Sequence, residues 1–305
     1  MSIMCNKIIR NIRCIYYWMR SNQHVAVYPD IKAKKHRVNQ FEYHPERWYD
    51  YCLYNNVGAN LGDNLSFVVV DWMLAKKGLK ADQETRKTYF LNTIGSNVFS
   101  SFQNAVIWGS GIGNSVGTDT QSLIGRILHR RIFRRLDIRA VRGPLTRQKL
   151  IRYRHRCPEI YGDPAILMPL IYRPASFEKK HDILVIPQFL AEKEIREKYP
   201  QYPMLSMNTD DYKQVIDMIC SSKKVITSSL HGIILAQAYG VPAVYFKTLP
   251  KTFKFEDYYA STGRYNVHFS ESLEDALEME PLPLPDLSKL QQGLMESFPY
   301  DLWEK

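Results

Sequence analysis

The chain has 305 residues, a formal net charge of +10 and a hydrophobic fraction of 45%. A single hydrophobic core rarely serves a chain of this length, so we expect two domains. The sequence has no apolar run long enough to span a bilayer, and the charged residues among its first twenty lead us to expect no secretory leader. Its five cysteines are scattered, without metal-ligand spacing. We therefore expect a cytoplasmic protein that has neither a disulfide framework nor a metal site.

The positive charge is concentrated in two segments. Residues 1–40 carry eight Lys or Arg against one Asp or Glu, and residues 126–156 carry twelve against one. The first segment mixes basic and apolar residues in a pattern that suits an anionic membrane surface, although a helix packed on the protein body would look the same. The second segment could attract phospholipid or a pyrophosphate-linked substrate. Nucleic acid is not expected as a partner, because no helix-turn-helix, zinc finger or RNP-type strand accompanies the arginines.

In chain order, the first α/β unit is expected at residues 51–77. A short strand over residues 51–54 leads through a Gly- and Asn-rich loop into a helix from about Leu65 to Lys77, which is typical of the start of a nucleotide-binding-like domain. Asn60 and Asp63 in this loop are candidate substrate contacts. Asp63 could accept a hydrogen bond from a sugar hydroxyl or cap the helix that follows.

The second unit begins with an apolar strand over residues 105–108 and continues into a glycine-rich loop. The loop is similar to a phosphate cradle, and its Gly109, Ser110 and Gly111 are candidate substrate contacts. No helix follows at once, and no acidic residue stands where a ribose would need one. We therefore expect no nicotinamide or flavin cofactor, and no other bound cofactor.

A basic helix over residues 123–135 should precede a strand over residues 138–142 and a helix that opens at Pro144. Arg142 would then lie at the carboxyl end of a strand, where open α/β sheets bind their ligands. We interpret Arg142 as a ligand contact. A salt-bridged arginine between the two domains is the alternative.

The α/β pattern restarts after a linker over residues 172–180. Strands are expected at residues 181–186 and near Leu205, and helices at residues 192–198 and 211–220. A Pro-rich extended stretch and a terminal helix close the chain. The sequence predicts a basic N-terminal extension at residues 1–40 and a C-terminal tail at residues 281–305. Between them it predicts two Rossmann-like domains, at residues 41–172 and 173–280.

The most informative stretch covers residues 225–242, where a short apolar run ends in hydroxyl residues and then restarts with helical spacing. It predicts a strand, a tight turn capped by Ser228 or Ser229, and a helix with His231 at its mouth. The N-terminus of a helix attracts anions such as phosphate or carboxylate. An imidazole beside such an anion could transfer protons near neutral pH. A histidine that is only bonded to a neighbouring loop is the alternative.

Four segments together resemble the polysaccharide pyruvyl transferase family, over roughly residues 50 to 270. The segments are Gly62-Asp63-Asn64, Trp108-Gly109-Ser110-Gly111, Val141-Arg142-Gly143-Pro144 with Tyr161-Gly162-Asp163-Pro164, and Thr227-Ser228-Ser229-Leu230-His231-Gly232. The resemblance implies a fold similar to the GT-B glycosyltransferases, in which two Rossmann-like domains face a cleft. It also implies transfer of the enolpyruvyl group of phosphoenolpyruvate, as a co-substrate, to a sugar, where a cyclic pyruvate ketal forms.

The resemblance also implies roles for particular residues. Arg142 matches the donor-binding arginine of the family, and His231 matches its histidine, which could act as an acid toward the methylene or the leaving phosphate, or as a base toward a hydroxyl. Where many members have arginine this chain has Ser229, so one donor-binding charge is missing. The remaining candidate donor contacts in the same turn are Ser228, Leu230 and Gly232. The cations that could replace the missing arginine are Lys247, Lys254 and Arg264.

The expected acceptor is a sugar of a bacterial-type surface polysaccharide or capsule, or of its lipid-linked precursor at the inner face of the membrane. Two other functions stay open. A nucleotide-sugar glycosyltransferase of the same architecture would bind a uridine or guanosine diphosphate. A non-catalytic scaffold of polysaccharide assembly would keep its function after His231→Ala.

Overall fold

The computed structural model describes residues 25–28, 60–81, 89–99, 104–113, 127, 130–132 and 134–303. They form a mixed α/β structure with two small parallel sheets. The strands are β1 (Val25–Tyr28), β2 (Tyr89–Asn92), β3 (Ala105–Trp108), β4 (Leu136–Ala140), β5 (His181–Ile186), β6 (Ser222–Thr227) and β7 (Ala243–Tyr245). The α-helices are α1 (Leu61–Ala75), α2 (Pro144–Arg152), α3 (Met168–Ile171), α4 (Glu192–Lys198), α5 (Tyr212–Cys220), α6 (Leu230–Ala238), α7 (Phe253–Ser261), α8 (Leu273–Glu278) and α9 (Ser288–Glu296). Short 3-10 turns lie at Pro164–Leu167, Phe189–Ala191 and Tyr300–Leu302.

The first sheet has the order β1-β2-β3-β4, and every neighbouring pair is parallel. All four residues of β3 are buried, as expected for a parallel strand covered on both faces. Because the strands are parallel, β3 and β4 deliver their following loops to the same edge of the sheet. That edge carries Gly109 after β3 and Arg142 shortly after β4.

The second sheet has the order β5-β6-β7, again parallel throughout. Its central strand β6 ends in three buried residues, Val225, Ile226 and Thr227, and α6 begins at Leu230. The predicted strand, turn and helix around His231 are therefore confirmed. The predicted strand near Leu205 is reduced to a single parallel bridge between Val185 and Met204.

One hydrophobic core joins the elements of the two sheets. It contains residues from α1, the Pro164–Leu167 turn and α6 in one continuous cluster, so these three elements pack together around their apolar faces. The C-terminal residues return to the first half of the chain, where the Trp108 indole donates a hydrogen bond to the Leu294 carbonyl at 2.9 Å. The Tyr300 hydroxyl likewise donates to the Met73 carbonyl at 3.0 Å.

Several boundaries differ from the sequence prediction. Helix α1 begins at Leu61 rather than Leu65, with Asn60 as its N-cap, so Asp63 lies inside the first turn and is not the cap. Strand β4 covers Leu136–Ala140 rather than residues 138–142, since the chain turns after Ala140. The predicted strand over residues 51–54, the N-terminal extension outside β1 and most of the helix predicted over residues 123–135 lie outside the described residues.

Among the described residues, no helix is both long enough and apolar enough to cross a membrane. Within that same portion, no group of three or more His, Cys, Asp or Glu side chains could hold a metal ion. Cys157 and Cys220, the two cysteines within it, are buried free thiols.

Candidate functional site

His231 is positioned by a tight turn between β6 and α6. The Thr227 hydroxyl donates a hydrogen bond to the Ile186 carbonyl at 2.6 Å and accepts one from the Ser229 amide at 2.9 Å. Helix α6 passes directly over this hydroxyl, because a Cβ at Gly232 would lie 2.5 Å from its Oγ1 atom. The turn therefore holds the start of α6 close to the sheet and makes His231 the second residue of the helix.

Two further glycines allow close packing, one against His231 and the other against Pro164, the residue after Asp163. A Cβ at Gly62, in the first turn of α1, would lie 1.8 Å from the Nδ1 atom of His231. A Cβ at Gly109 would lie 2.3 Å from the Cδ atom of Pro164, and Gly109 itself has a φ of +82°, which disfavours other residues. Larger side chains at either position would force these segments apart, so the glycines are explained by close packing.

Arg142 lies at the carboxyl edge of the first sheet, as Gly109 does. Its guanidinium is fully buried and already forms hydrogen bonds within the protein. Nε donates to the Asp257 carboxylate at 3.2 Å, Nη1 to the Ser96 hydroxyl at 2.9 Å and Nη2 to the Ile112 carbonyl at 2.7 Å. Both partners of the ion pair with Asp257 have side chains that are 0% exposed. The structure thus shows the salt-bridged arginine of the alternative interpretation, and direct contact of Arg142 with a ligand stays a prediction.

Asp257 joins the two halves of the chain around this ion pair. It lies on α7 and accepts hydrogen bonds from the Thr146 amide at 2.9 Å and the Thr146 hydroxyl at 2.6 Å. A Cβ at Gly111 would lie 2.2 Å from the Arg142 guanidinium, and a Cβ at Gly143 would lie 2.0 Å from the Asp257 carbonyl oxygen. The start of α2 and helix α7 are therefore fixed to each other by a buried charge network.

The imidazole of His231 is buried, with a side chain that is 11% exposed. Its Nε2 atom has no hydrogen-bond partner in the part of the chain that the structure describes, and it lies 3.9 Å from the Asp163 carboxylate, beyond hydrogen-bond distance. Burial, together with the positive charges of Lys254 and Arg142, lowers the pKa of His231 to about 3. The imidazole is therefore neutral at pH 7, and it lies within the electrostatic reach of two cations.

Asp163 is the residue of this site that the sequence analysis did not single out. It caps the Pro164–Leu167 turn, where its Oδ1 atom accepts a hydrogen bond from the Ala165 amide at 3.1 Å, and its other oxygen faces His231. The signal was present in the Tyr161-Gly162-Asp163-Pro164 segment, but an aspartate before proline is also an ordinary turn residue. Its position against His231 becomes visible only in three dimensions.

The three cations proposed as substitutes for the missing arginine have different surroundings. Lys247 forms an ion pair with Glu271. Arg264 donates hydrogen bonds to Gln237 at 2.7 Å and to Thr262 at 2.8 Å. Only Lys254, on the first turn of α7, is close enough to His231 for its charge to lower the pKa of the imidazole. Lys254 is therefore the best placed of the three.

The loop of Gly109, Ser110 and Gly111 is buried and bonded within the protein. The Gly109 amide donates to the Ala140 carbonyl at 2.9 Å, and the Gly111 amide donates to the Gly95 carbonyl at 2.9 Å. The Ser110 hydroxyl also donates to the Gly95 carbonyl, at 3.1 Å. In this structure the loop supports Arg142 and Pro164, and its direct contact with a phosphate stays a prediction.

The remaining candidates surround the start of two helices. The Ser228 hydroxyl accepts a hydrogen bond from the Gln188 amide at 2.7 Å, and Ser229 is the half-buried N-cap of α6. Leu230 is buried beside His231. Asn60 is the exposed N-cap of α1, two residues before the glycine that touches His231. The Asp63 side chain lies outside the described residues.

The burial of a neutral His231 predicts a specific acid sensitivity. Its pKa is lower in the folded chain than the ordinary value near 6.5, so the unfolded chain takes up a proton first and the stabilisation present above pH 6.5 is lost as the pH falls toward 3. Between pH 7 and pH 5 this histidine should remove about 2 kcal/mol of the unfolding free energy. Urea unfolding of the His231→Gln variant should show correspondingly less loss over this interval. The exposed His268→Gln variant is the control and should behave as the wild type. If the unfolding free energy of His231→Gln falls between pH 7 and pH 5 as much as that of the wild type, the buried neutral state of His231 is contradicted.

Three comparisons with known proteins bear on this site. The family model described as "Polysaccharide pyruvyl transferase" matches residues 12–248. The uncharacterized protein L143 of Acanthamoeba polyphaga mimivirus is 28% identical over 182 residues, a match that spans 56% of this chain and 59% of that protein. The chain thus matches little more than half the length of this curated relative.

A solved structure is also similar. It is described as the crystal structure of a functional uncharacterized protein, KP1_0663, from Klebsiella pneumoniae, with 13% sequence identity and a TM-score of 0.42 over 85% of this chain and 94% of that chain. The family model covers all the segments that converge on His231, from Gly62 to Gly232. The chain belongs to the polysaccharide pyruvyl transferase family.

Proposed function

We propose that the protein transfers the enolpyruvyl group of phosphoenolpyruvate to two hydroxyls of a sugar, forming a cyclic pyruvate ketal and releasing phosphate. The proposed acceptor is a sugar of a surface polysaccharide or capsule, or of its lipid-linked precursor. Family membership supports pyruvyl transfer. The observation that carries the proposal is the buried, neutral imidazole of His231, which lies close to the positive charges of Lys254 and Arg142.

A doubly anionic donor suits this surrounding. Phosphoenolpyruvate carries a carboxylate and a phosphate, and the start of α6 offers the unpaired N–H groups of a helix N-terminus. The first intrahelical bond there runs from the Ile233 amide to the Ser229 carbonyl at 3.2 Å, so the amides of Leu230, His231 and Gly232 precede the hydrogen bonds of the helix. Lys254 adds a side-chain cation on the opposite element, α7. We propose that these groups bind the donor, with Lys254 in place of the arginine that Ser229 replaces.

Arg142 has a supporting role in this proposal. Its guanidinium is committed to Asp257, Ser96 and Ile112, so it fixes α7, and with it Lys254, against the first sheet. Its charge also helps to lower the pKa of His231. Arg142 therefore positions the binding groups and contributes to the positive field.

In the proposed reaction, two sugar oxygens form bonds to the central carbon of the donor. A proton adds to the methylene carbon of the donor, which becomes a methyl group, and positive charge develops on the central carbon. One sugar hydroxyl forms a C–O bond to that carbon and loses its proton. The bond between the central carbon and the phosphate oxygen then breaks, the second hydroxyl forms the other C–O bond, and its proton leaves with the phosphate. The sum is one donor and one diol converted to one ketal and one phosphate, so atoms and protons balance.

His231 is the proposed proton carrier for these steps. A neutral imidazole can accept the proton of the attacking hydroxyl but cannot start as an acid. In the free protein His231 is therefore in the form of a base, and its pKa of about 3 makes it a weak one. A bound anionic donor raises the pKa of a neighbouring histidine, because opposite charge favours the protonated form. Asp163, whose carboxylate faces Nε2 at 3.9 Å, is the proposed positioning residue.

The arrangement of the two sheets supports a proposal for how the two halves of the chain are built. Each half has a parallel sheet with helices beside it, and the candidate site lies where the loops after β3, β4 and β6 come together. We propose that the halves are two Rossmann-like domains that face a cleft, as in the GT-B architecture. Ligands in open α/β sheets bind outside the carboxyl ends of the strands, which is where His231 lies.

Phosphate release tests this function. The purified chain would be incubated with phosphoenolpyruvate and a panel of model glycosides. We expect phosphate and an equal amount of ketal to form together only with an acceptor that has two suitably placed free hydroxyls. The same glycoside with one of the two hydroxyls methylated is the matched control, because it can accept the first bond but cannot close the ketal. Equal phosphate release without any glycoside would contradict the proposal, and so would turnover of a nucleotide sugar in place of phosphoenolpyruvate.

A further inference from the structure

A basic surface pocket lies away from the candidate site and has no part in the proposed reaction. It has a volume of about 770 Å³ and is lined by Arg130, Arg131, Ile132, Arg135, Leu136 and Arg154. All four arginines are exposed. We call this group of six residues the arginine pocket.

The arginines of the pocket have no acidic partners among the residues that the structure describes. This distinguishes them from their neighbours in sequence, since Arg139 is paired with Asp137 and Asp301, and Arg147 is paired with Glu159. Four like charges around one concavity repel one another and raise the local positive potential. Such a surface favours a ligand that brings several negative charges.

The backbone at Arg154 provides a second, independent observation. Arg154 follows helix α2 and has a φ of +65°, in the left-handed region where a helix usually ends with glycine or asparagine. Its amide donates to the Ile151 carbonyl at 2.8 Å, which is the bond of a helix C-terminus. Keeping a long cationic side chain at a position suited to glycine carries a small cost in stability. That cost is explained if the guanidinium is needed in the pocket.

Exposed isoleucines accompany the arginines. Ile132, in the pocket, is 80% exposed. Ile127 and Ile151, each three residues before an arginine of the pocket, are 38% and 45% exposed. A soluble polyanion such as RNA or free pyrophosphate makes no use of exposed aliphatic groups. A lipid surface does, because the aliphatic side chains enter the acyl boundary while the arginines contact the headgroups.

The location of the pocket separates it from the reaction. Leu136 is the first residue of β4, whereas Arg142 lies just beyond its carboxyl end. Six residues at strand spacing cover about 20 Å. The pocket therefore lies at the amino edge of the first sheet and the candidate site at the carboxyl edge, so a membrane bound at one edge leaves the other free.

We propose that the arginine pocket docks the protein on a membrane that contains anionic phospholipid. The arginines bind the phosphate headgroups, and Ile132 enters the boundary between headgroups and acyl chains. This inference does not depend on the pyruvyl transfer reaction. It would, however, place the enzyme beside a lipid-linked acceptor.

Vesicle flotation of the full chain tests the proposal. The protein should float with vesicles of phosphatidylglycerol and phosphatidylcholine, and not with phosphatidylcholine alone. The Arg131→Gln/Arg135→Gln variant should bind about 30-fold more weakly, since each surface arginine contributes about fivefold to binding of an anionic membrane. The control is Arg173→Gln/Arg196→Gln, which removes the same charge from exposed positions elsewhere and should bind almost as the wild type. Equal binding by the pocket variant and the control would overturn the proposal.

The Arg154→Gly variant separates a binding role from a structural one. Glycine fits a φ of +65° better than arginine, so the variant should have an equal or higher Tm, and it should still bind the vesicles about fivefold more weakly. A lowered Tm with unchanged vesicle binding would contradict the proposal. So would tight binding of inorganic pyrophosphate or of a single-stranded RNA, abolished by the pocket variant, without binding of vesicles.

Discussion

Replacing Asp257 with alanine is expected to destabilise the protein by about 3–5 kcal/mol, the range for breaking a buried ion pair by removal of one partner. The variant would leave the Arg142 guanidinium fully buried without a counter-charge and would also remove the acceptor of both Thr146 hydrogen bonds. Denaturant unfolding followed by circular dichroism would measure the loss.

The controls for this prediction use another aspartate and a second substitution. Asp182→Ala breaks an exposed pair with Lys223 and should cost several-fold less. The double variant Asp257→Leu/Arg142→Met removes both buried charges and should be more stable than the sum of the single losses predicts. If Asp257→Ala costs no more than Asp182→Ala, the buried charge network does not hold α2 and α7 together.

The second large effect is expected from His231→Gln, which should lower the rate of acceptor-dependent phosphate release by about 10²–10⁴-fold. Glutamine occupies similar space against Gly62 but cannot carry a proton between the hydroxyl and the donor. The KM for phosphoenolpyruvate should change much less than kcat, because we propose that Lys254 and the start of α6, and not His231, bind the donor. Steady-state kinetics with a phosphate-release assay would separate the two constants.

His268→Gln is the matched control for this kinetic experiment, since His268 is exposed and outside the site. Asp163→Asn should give an intermediate loss, because an amide keeps the cap of the turn but removes the charge that faces the imidazole. A His231→Gln variant with wild-type kcat would contradict the role of His231 as the proton carrier.

The sequence predicted the part of the site that depends on local patterns. The apolar run before Thr227, the hydroxyl residues and the helical spacing after Gly232 are enough to place His231 at the start of a helix. Pro144 at the first position of α2 and the buried strand β3 are confirmed for the same reason. Each of these elements is specified by residues that are neighbours in the chain.

The contacts that complete the site join residues far apart in the chain, and no local pattern in the sequence predicts them. Asp257 lies 115 residues beyond its partner Arg142, on a helix whose mixed aromatic and charged sequence has no clear apolar period. Strand β2 is short and was not predicted. The glycines at positions 62 and 111 looked like loop residues, and only the structure shows which side chains lie against them. Arg142 was interpreted as a ligand contact because nothing in the sequence reveals its burial.

In the proposed reaction the donor loses the bond between its central carbon and the oxygen that bridges to phosphorus. An isotope label in that oxygen tests this most directly. Phosphoenolpyruvate with ¹⁸O in the bridging position would be turned over with an acceptor glycoside, and the products analysed by mass spectrometry. Pyruvyl transfer predicts that the label leaves entirely with inorganic phosphate and that an equal amount of ketal forms. Label recovered in pyruvate, with unlabelled phosphate, would mean that the phosphorus–oxygen bond breaks instead, and it would contradict the proposed function.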